Sequence, residues 1–215
     1  MDIVMQQVLP LPLKDKLLKK PSDVWNTSRV FGQGKWIKIK APSGTGKTTL
    51  VHMLYRLRHD YEGRISWGDH LLTSITAAGL ASLRQQKISI VFQDLRLFPH
   101  LTARENIELK RVLQTPYYNT EMIDEMAEEL GITHILHQRA GLCSYGEQQR
   151  VAIIRSLMQP FEWLIMDEPF SHLDRANTAK AVALIARECS KRKAGMVITD
   201  LDEDQHFAYT DELTL

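Results

Sequence analysis

A chain of 215 residues is long for one average domain and short for two, which favours a single α/β domain carrying an inserted subdomain. With 44% hydrophobic and 25% charged residues and a net charge of +1, the composition is that of a globular protein and points to no nucleic acid and no polybasic membrane anchor. Two cysteines are too few for a disulfide framework, no apolar run reaches the roughly 18 residues that span a bilayer, and residues 1–5 lack the character of a signal peptide, so a reducing cytosolic compartment is expected.

Residues 3–11 are apolar but interrupted by Pro10 and Pro12, a pattern that suits an edge strand. Trp36-Ile37-Lys38-Ile39-Lys40 alternates like a strand, and Leu50, Val51, Met53, Leu54 and Leu57 have helical spacing. Asp60-Tyr61-Glu62-Gly63 reads as a turn, Arg64-Ile65-Ser66-Trp67 as a strand, and Gly68-Asp69 as a second turn. Ile88-Ser89-Ile90-Val91-Phe92 is a short apolar strand. Residues 101–142 are helical in pattern, with Thr120 placed to cap a helix bearing Met122, Ile123, Met126, Ala127 and Leu130, and Gly131 to end it. Residues 151–158 form a buried helix face. Trp163-Leu164-Ile165-Met166 is a continuous apolar run, as in a parallel strand covered on both faces. A helix over about 177–192 and a buried strand over 196–199 follow, with His206 expected on a further helix. Strands alternating with helices imply a mostly parallel sheet, with the core at about 1–94 and 160–215 and a helical insert at about 95–159.

Between the strand ending at Lys40 and the helix beginning near Leu50 lies Ala41-Pro42-Ser43-Gly44-Thr45-Gly46-Lys47-Thr48-Thr49. A strand, a glycine-rich loop and a helix in that order make a phosphate-binding loop. Glycines let successive N–H groups turn onto phosphate oxygens, the helix N-terminus adds its positive dipole end, Lys47 reaches the β/γ-phosphates, and the Thr48 hydroxyl can ligate Mg²⁺. Ala41 stands where the pattern has glycine, which the loop tolerates if φ is negative there. A second element follows the buried run, in Asp167-Glu168-Pro169. A carboxylate at the C-terminal end of such a strand faces the crevice where α/β sheets bind ligands. Asp167 would hold Mg²⁺ directly or through water, and Glu168 would orient or deprotonate an attacking water.

Three further segments resemble the ATP-binding cassette (ABC) ATPases. Val91-Phe92-Gln93-Asp94 with Leu101-Thr102-Ala103-Arg104-Glu105-Asn106-Ile107 looks like the Q-loop region. Cys143-Ser144-Tyr145-Gly146-Glu147-Gln148-Gln149-Arg150 resembles the signature, and Ser171-His172-Leu173-Asp174 the D-loop. Arg84-Gln85-Gln86-Lys87 and the Gly146-Glu147 ending are most similar to the small lipoprotein-release, macrolide-efflux and cell-division ATPases. The resemblance implies a P-loop NTPase core with a mostly parallel sheet, an N-terminal antiparallel β portion and an inserted helical subdomain. It implies ATP and Mg²⁺, bound by Ser43, Gly44, Thr45, Gly46, Lys47, Thr48, Thr49 and Gln93. The metal would be held by Thr48, Gln93 and Asp167, with Glu168 catalytic. Ser144, Tyr145, Gly146 and Glu147 would face the ATP of an opposite subunit, with Asp174 in the D-loop. The partners implied are a second copy or second ATPase subunit in a head-to-tail dimer and an integral membrane permease, placing the chain on the cytoplasmic face of the membrane.

The sequence departs from that family at several places, among them Cys143 where leucine is usual. Tyr145 replaces the first signature glycine. Asp200, followed by Leu201-Asp202-Glu203-Asp204, stands where the switch histidine belongs, turning a donor into an acceptor facing a phosphate. No aromatic lies in residues 11–16, where the family stacks adenine. Two readings result: an ATPase subunit powering a transporter or mechanotransmission complex, slowed by Asp200, or a degenerate ATP-binding regulatory module. A P-loop phosphotransferase would leave the signature and D-loop unexplained. Leu97 and Phe98 are either contacts for the permease or satellite core packing.

Overall fold

The structure is a computed structural model whose described residues are 1–40, 42, 44–201 and 205–215. Strand β1 (Ile3–Pro10) pairs antiparallel with β2 (Ser28–Phe31) on one side. On its other side lies β4 (Tyr61–Trp67), which turns through residues 68–69 into β5 (His70–Leu71). The order β2-β1-β4-β5 makes β1 an interior strand and not the edge strand expected from its prolines. Pro10 is harmless because it is the last residue of the strand. The residues expected to turn at 60–63 instead begin β4. Opposite them β1 bulges between Gln6 and Leu9, and a Cβ on Gly63 (φ +88°) would sit 2.4 Å from the Gln7 carbonyl oxygen, so only glycine fits.

The central sheet is parallel, in the order β6-β7-β8-β3-β9. Its strands are β3 (Trp36–Lys40), β6 (Ile88–Val91), β7 (Trp163–Asp167), β8 (Gly195–Asp200) and β9 (Asp211–Thr214). Alternate residues of β7 and β8 enter two separate cores. Trp163, Ile165 and Val197 pack toward the antiparallel sheet, together with Ile37, Leu50, Leu54 and Trp67. Leu164, Met166, Met196 and Ile198 pack toward the helices. Both faces of the sheet are therefore covered, and that explains the unbroken apolar run of β7 over 163–166.

A short helix α1 (Lys14–Leu17) follows β1, α2 (Lys47–Leu54) follows β3, and α3 (Ala77–Gln86) precedes β6. The helical pattern over 101–142 resolves into α4 (Ala103–Val112) and α5 (Glu121–Glu129) with short 3₁₀ turns after them. Thr120 does occupy the N-cap of α5, but its side chain makes no capping hydrogen bond. Helix α6 (Tyr145–Leu157) begins with a polar, partly exposed turn and is buried on every side over residues 151–157, where α4, α5 and β6 pack on it. Helix α7 (Arg175–Arg192) starts two residues earlier than its apolar spacing suggests, because Asp174 accepts the Asn177 N–H and caps it. No helix follows β8 among the described residues, so His206 lies in irregular chain, its ring edge-on to Phe170.

Candidate functional site

The site forms where β3, β6, β7 and β8 all end, on the same side of the parallel sheet. Lys40 of β3 leads into the phosphate loop, and α2 starts at Lys47 immediately after Gly46. Gly44 and Gly46 take φ of +75° and +102°, the left-handed turns that aim the loop's N–H groups inward. Thr45 donates its hydroxyl to the Pro42 carbonyl at 2.7 Å. The loop rests on Trp25, whose indole N–H donates to the Thr45 carbonyl and whose ring lies against Gly46. Lys16 bridges to the Gly44 carbonyl at 2.7 Å. Trp25 is buried, so this indole supports the loop from beneath. Ser43 and Ala41 lie outside the described residues, as do Asp202, Glu203 and Asp204.

Four expected residues are joined in one chain of contacts. The Lys47 ammonium lies 3.3 Å from Glu168 Oε1, both side chains largely buried. Gln93 Nε2 donates to the other Glu168 oxygen at 3.1 Å, and the Thr48 hydroxyl donates to Gln93 Oε1 at 3.2 Å. Glu168 itself adopts φ +47°, a left-handed backbone that a non-glycine residue holds only under constraint. The constraint is visible: its N–H donates to the Thr199 carbonyl at 2.9 Å, and its carbonyl accepts from Gln149 Nε2 at 3.3 Å. Asp167 is buried and accepts the Thr199 hydroxyl on Oδ1.

These donors suit Mg²⁺. The Thr48 and Gln93 oxygens are 3.2 Å apart, close to the roughly 3 Å that separates neighbouring ligands around an octahedral Mg²⁺. Both are hard oxygen donors, and Asp167 adds a buried carboxylate near the end of β7.

The signature residues stand apart from the phosphate loop. Ser144 is the N-cap of α6 in a reciprocal capping box, its hydroxyl accepting the Glu147 N–H while Glu147 Oε2 accepts from the Ser144 N–H at 2.8 Å. Those bonds to Ser144 hold the Glu147 carboxyl below its usual range. The helix thus begins at Tyr145, six residues before the buried apolar face that starts at Val151. No hydrogen bond joins Ser144, Gly146 or Glu147 to residues 44–49 among the described residues. Tyr145 is different: its hydroxyl donates to the Gln93 carbonyl at 3.2 Å.

Asp200 ends β8 and accepts the Leu201 N–H on Oδ1 at 2.7 Å. With Glu168, Phe170, Ser171, Gln205 and His206 it lines an open cavity of about 900 Å³. Leu97 packs on the helical core, whereas Phe98 is 57% exposed.

A family model described as ABC transporter matches residues 25–171. The chain belongs to this family. It is 34% identical over 173 residues to the molybdenum import ATP-binding protein ModC of Paramagnetospirillum magneticum, covering 80% of this chain and 48% of that protein. It is 36% identical to the phosphonates import ATP-binding protein PhnC of Agrobacterium fabrum, covering 79% of this chain and 62% of the relative. The lipoprotein-releasing system ATP-binding protein LolD of Geobacter metallireducens is 33% identical, covering 80% of this chain and 77% of LolD. The chain thus spans about half to three fifths of the first two relatives. Among solved structures, the ATP-binding cassette MJ0796, in a dimeric post-hydrolysis state with ADP and Pi, superposes with a TM-score of 0.77 at 25% identity, over 93% of this chain and 88% of that one. The mixed α/β cassette fold, with its parallel and antiparallel sheets, is the one expected from the ABC resemblance.

Residue reasoning missed Trp25, Gln149, Thr199 and Arg155. The role of each is invisible in a linear motif, since what it touches lies 19 to 60 residues away.

Proposed function

We propose that this chain binds ATP with Mg²⁺ and hydrolyses it as the nucleotide-binding subunit of a membrane transporter or mechanotransmission complex, working through an ATP-driven head-to-tail dimer. The observation that carries the reading is the contact chain Lys47–Glu168–Gln93–Thr48, which places a cation, a carboxylate and two metal-ready oxygens around one point beside the phosphate loop. Incoming phosphates would draw Lys47 off Glu168. The freed carboxylate then orients and deprotonates a water whose oxygen attacks the γ-phosphorus, with ADP as leaving group. Mg²⁺ at Thr48, Gln93 and Asp167 would neutralise phosphate charge.

Support for a transporter subunit comes from the family and from the names of relatives, which cover import and lipoprotein release alike. No helix among the described residues is long and apolar enough to cross a membrane, which fits a chain that meets the bilayer through a separate permease on its cytoplasmic face. The signature residues Ser144, Gly146 and Glu147, which make no hydrogen bond to residues 44–49 among the described residues, suit the ATP of a second copy or second ATPase subunit. Asp174, at the start of α7, would belong to the same contact. The core at about 1–94 and 160–215 would carry the nucleotide and the insert at about 95–159 the signature. A degenerate regulatory module draws no support, because Glu168 is present and poised.

The test is phosphate release and calorimetric ATP binding by the purified chain and its Lys47→Ala variant. Lys47→Ala should lose turnover and bind ATP at least tenfold more weakly, about 1.4 kcal/mol, with an unchanged circular dichroism spectrum. Unchanged affinity would sink the phosphate-loop assignment.

A further inference from the structure

We propose that Tyr145 is a positioning residue for Gln93: its hydroxyl ties the start of helix α6 to the Q-loop backbone, so that the Gln93 side chain is held on Thr48 and Glu168. The inference rests on the nucleotide reading above and deepens it. A glycine at position 145, which the family pattern has, owns no atom that could make this bond.

The Q-loop needs such a hold. After β6 the chain turns through Leu95 and Arg96 with φ of +55° and +48°, two consecutive non-glycine residues in the left-handed region. Backbone of that kind persists only where its surroundings over-determine it. Helix α6 supplies the restraint from both ends. At its first residue Tyr145 Oη donates to the Gln93 carbonyl at 3.2 Å. Ten residues further on, the buried Arg155 guanidinium donates to the carbonyl of Leu95 and, at 2.7 Å, to that of Arg96. The Arg96 guanidinium in turn stacks 3.9 Å from the Phe92 ring centroid.

The same helix reaches the other catalytic segments. The Tyr145 ring stands edge-on to His172 with centroids 4.2 Å apart. The His172 N–H donates to Gln149 Oε1 at 3.1 Å, and Gln149 Nε2 donates to the Glu168 carbonyl. The signature helix, Q-loop and Glu168 therefore form one hydrogen-bonded body. Tyr145 is its half-exposed, removable member, so its hydroxyl can be deleted with the buried core left whole.

The test titrates a non-hydrolysable ATP analogue into wild type and Tyr145→Phe by calorimetry, first without metal and then across a Mg²⁺ series. Loss of one hydrogen bond should raise the Mg²⁺ concentration for half-saturation roughly 2–10-fold, a larger effect than any change in analogue affinity measured without metal. An identical Mg²⁺ dependence in the two proteins overturns the tether, as does an equal weakening with and without metal, which would mark a general role in nucleotide binding. Failure of wild type to bind the analogue at all overturns instead the nucleotide assignment, and the tether with it.

Discussion

Replacing Glu168 by glutamine should shift the nucleotide-free and nucleotide-bound states in opposite directions. Lys47 and Glu168 face each other at 3.3 Å with side chains 6% and 11% exposed. At that separation the gross attraction is about 5 kcal/mol for an effective dielectric near 20. Glutamine keeps a neutral oxygen within reach of the ammonium, so the net change is the gap between a charge-assisted and a neutral hydrogen bond, about 1–2 kcal/mol. The free protein should lose that stability, at about 2–4 °C of melting temperature per kcal/mol for a chain of this size. ATP should gain by a similar amount, roughly 5–30-fold in affinity. Lys47 no longer has to leave a carboxylate, and the γ-phosphate no longer approaches one. Turnover should nevertheless fall by about 10²–10⁴, since an amide cannot accept the water's proton. Scanning calorimetry without nucleotide, titration with ATP and Mg²⁺, and phosphate release read the three effects separately. A variant with unchanged melting temperature and unchanged ATP affinity would refute the ion pair as the resting arrangement. Undiminished phosphate release would refute Glu168 as the base.

One further substitution and one reagent probe the rest of the site and its surroundings. Asp200 lines the cavity beside Glu168, and a carboxylate about 4 Å from a γ-phosphate repels it by roughly 4 kcal/mol at the same dielectric. Asp200→His should therefore raise phosphate release, and an unchanged or lower rate would show that the carboxylate faces away from the phosphate. The two cysteines should separate by reactivity. Burial pushes the Cys189 thiol up to about 12, and burial followed by the charge of Glu147 raises that of the slightly exposed Cys143. An alkylating reagent at pH 8 should label Cys143 slowly and Cys189 only after denaturation, as read by mass spectrometry of peptides. Because Cys189 holds its proton more tightly folded than unfolded, its contribution to stability is full below pH 9 and is lost as the pH rises toward 12. Prompt labelling of Cys189 in the native protein would contradict its burial.

The sequence by itself determined the family and the class of fold. The run from Gly44 to Thr49, the Asp167-Glu168 pair after an apolar strand and Gln93 after another are contiguous signals, because a phosphate cradle is built from consecutive backbone groups and a strand end carries its carboxylate with it. The apolar run at 163–166 likewise announced a sheet covered on both faces. Tertiary structure alone decided what depends on distant neighbours. The N-terminal segment became interior because β2 and β4 both pair with it, which no local pattern encodes. Lys38 alternates as an exposed residue should, yet it is fully buried, since chain far away in sequence covers that face of the sheet and sets the Tyr209 ring 5.6 Å from its ammonium. Tyr145 read only as a departure from the first signature glycine. In the fold its hydroxyl reaches a carbonyl 52 residues away, a contact fixed only when α6 packs across the Q-loop.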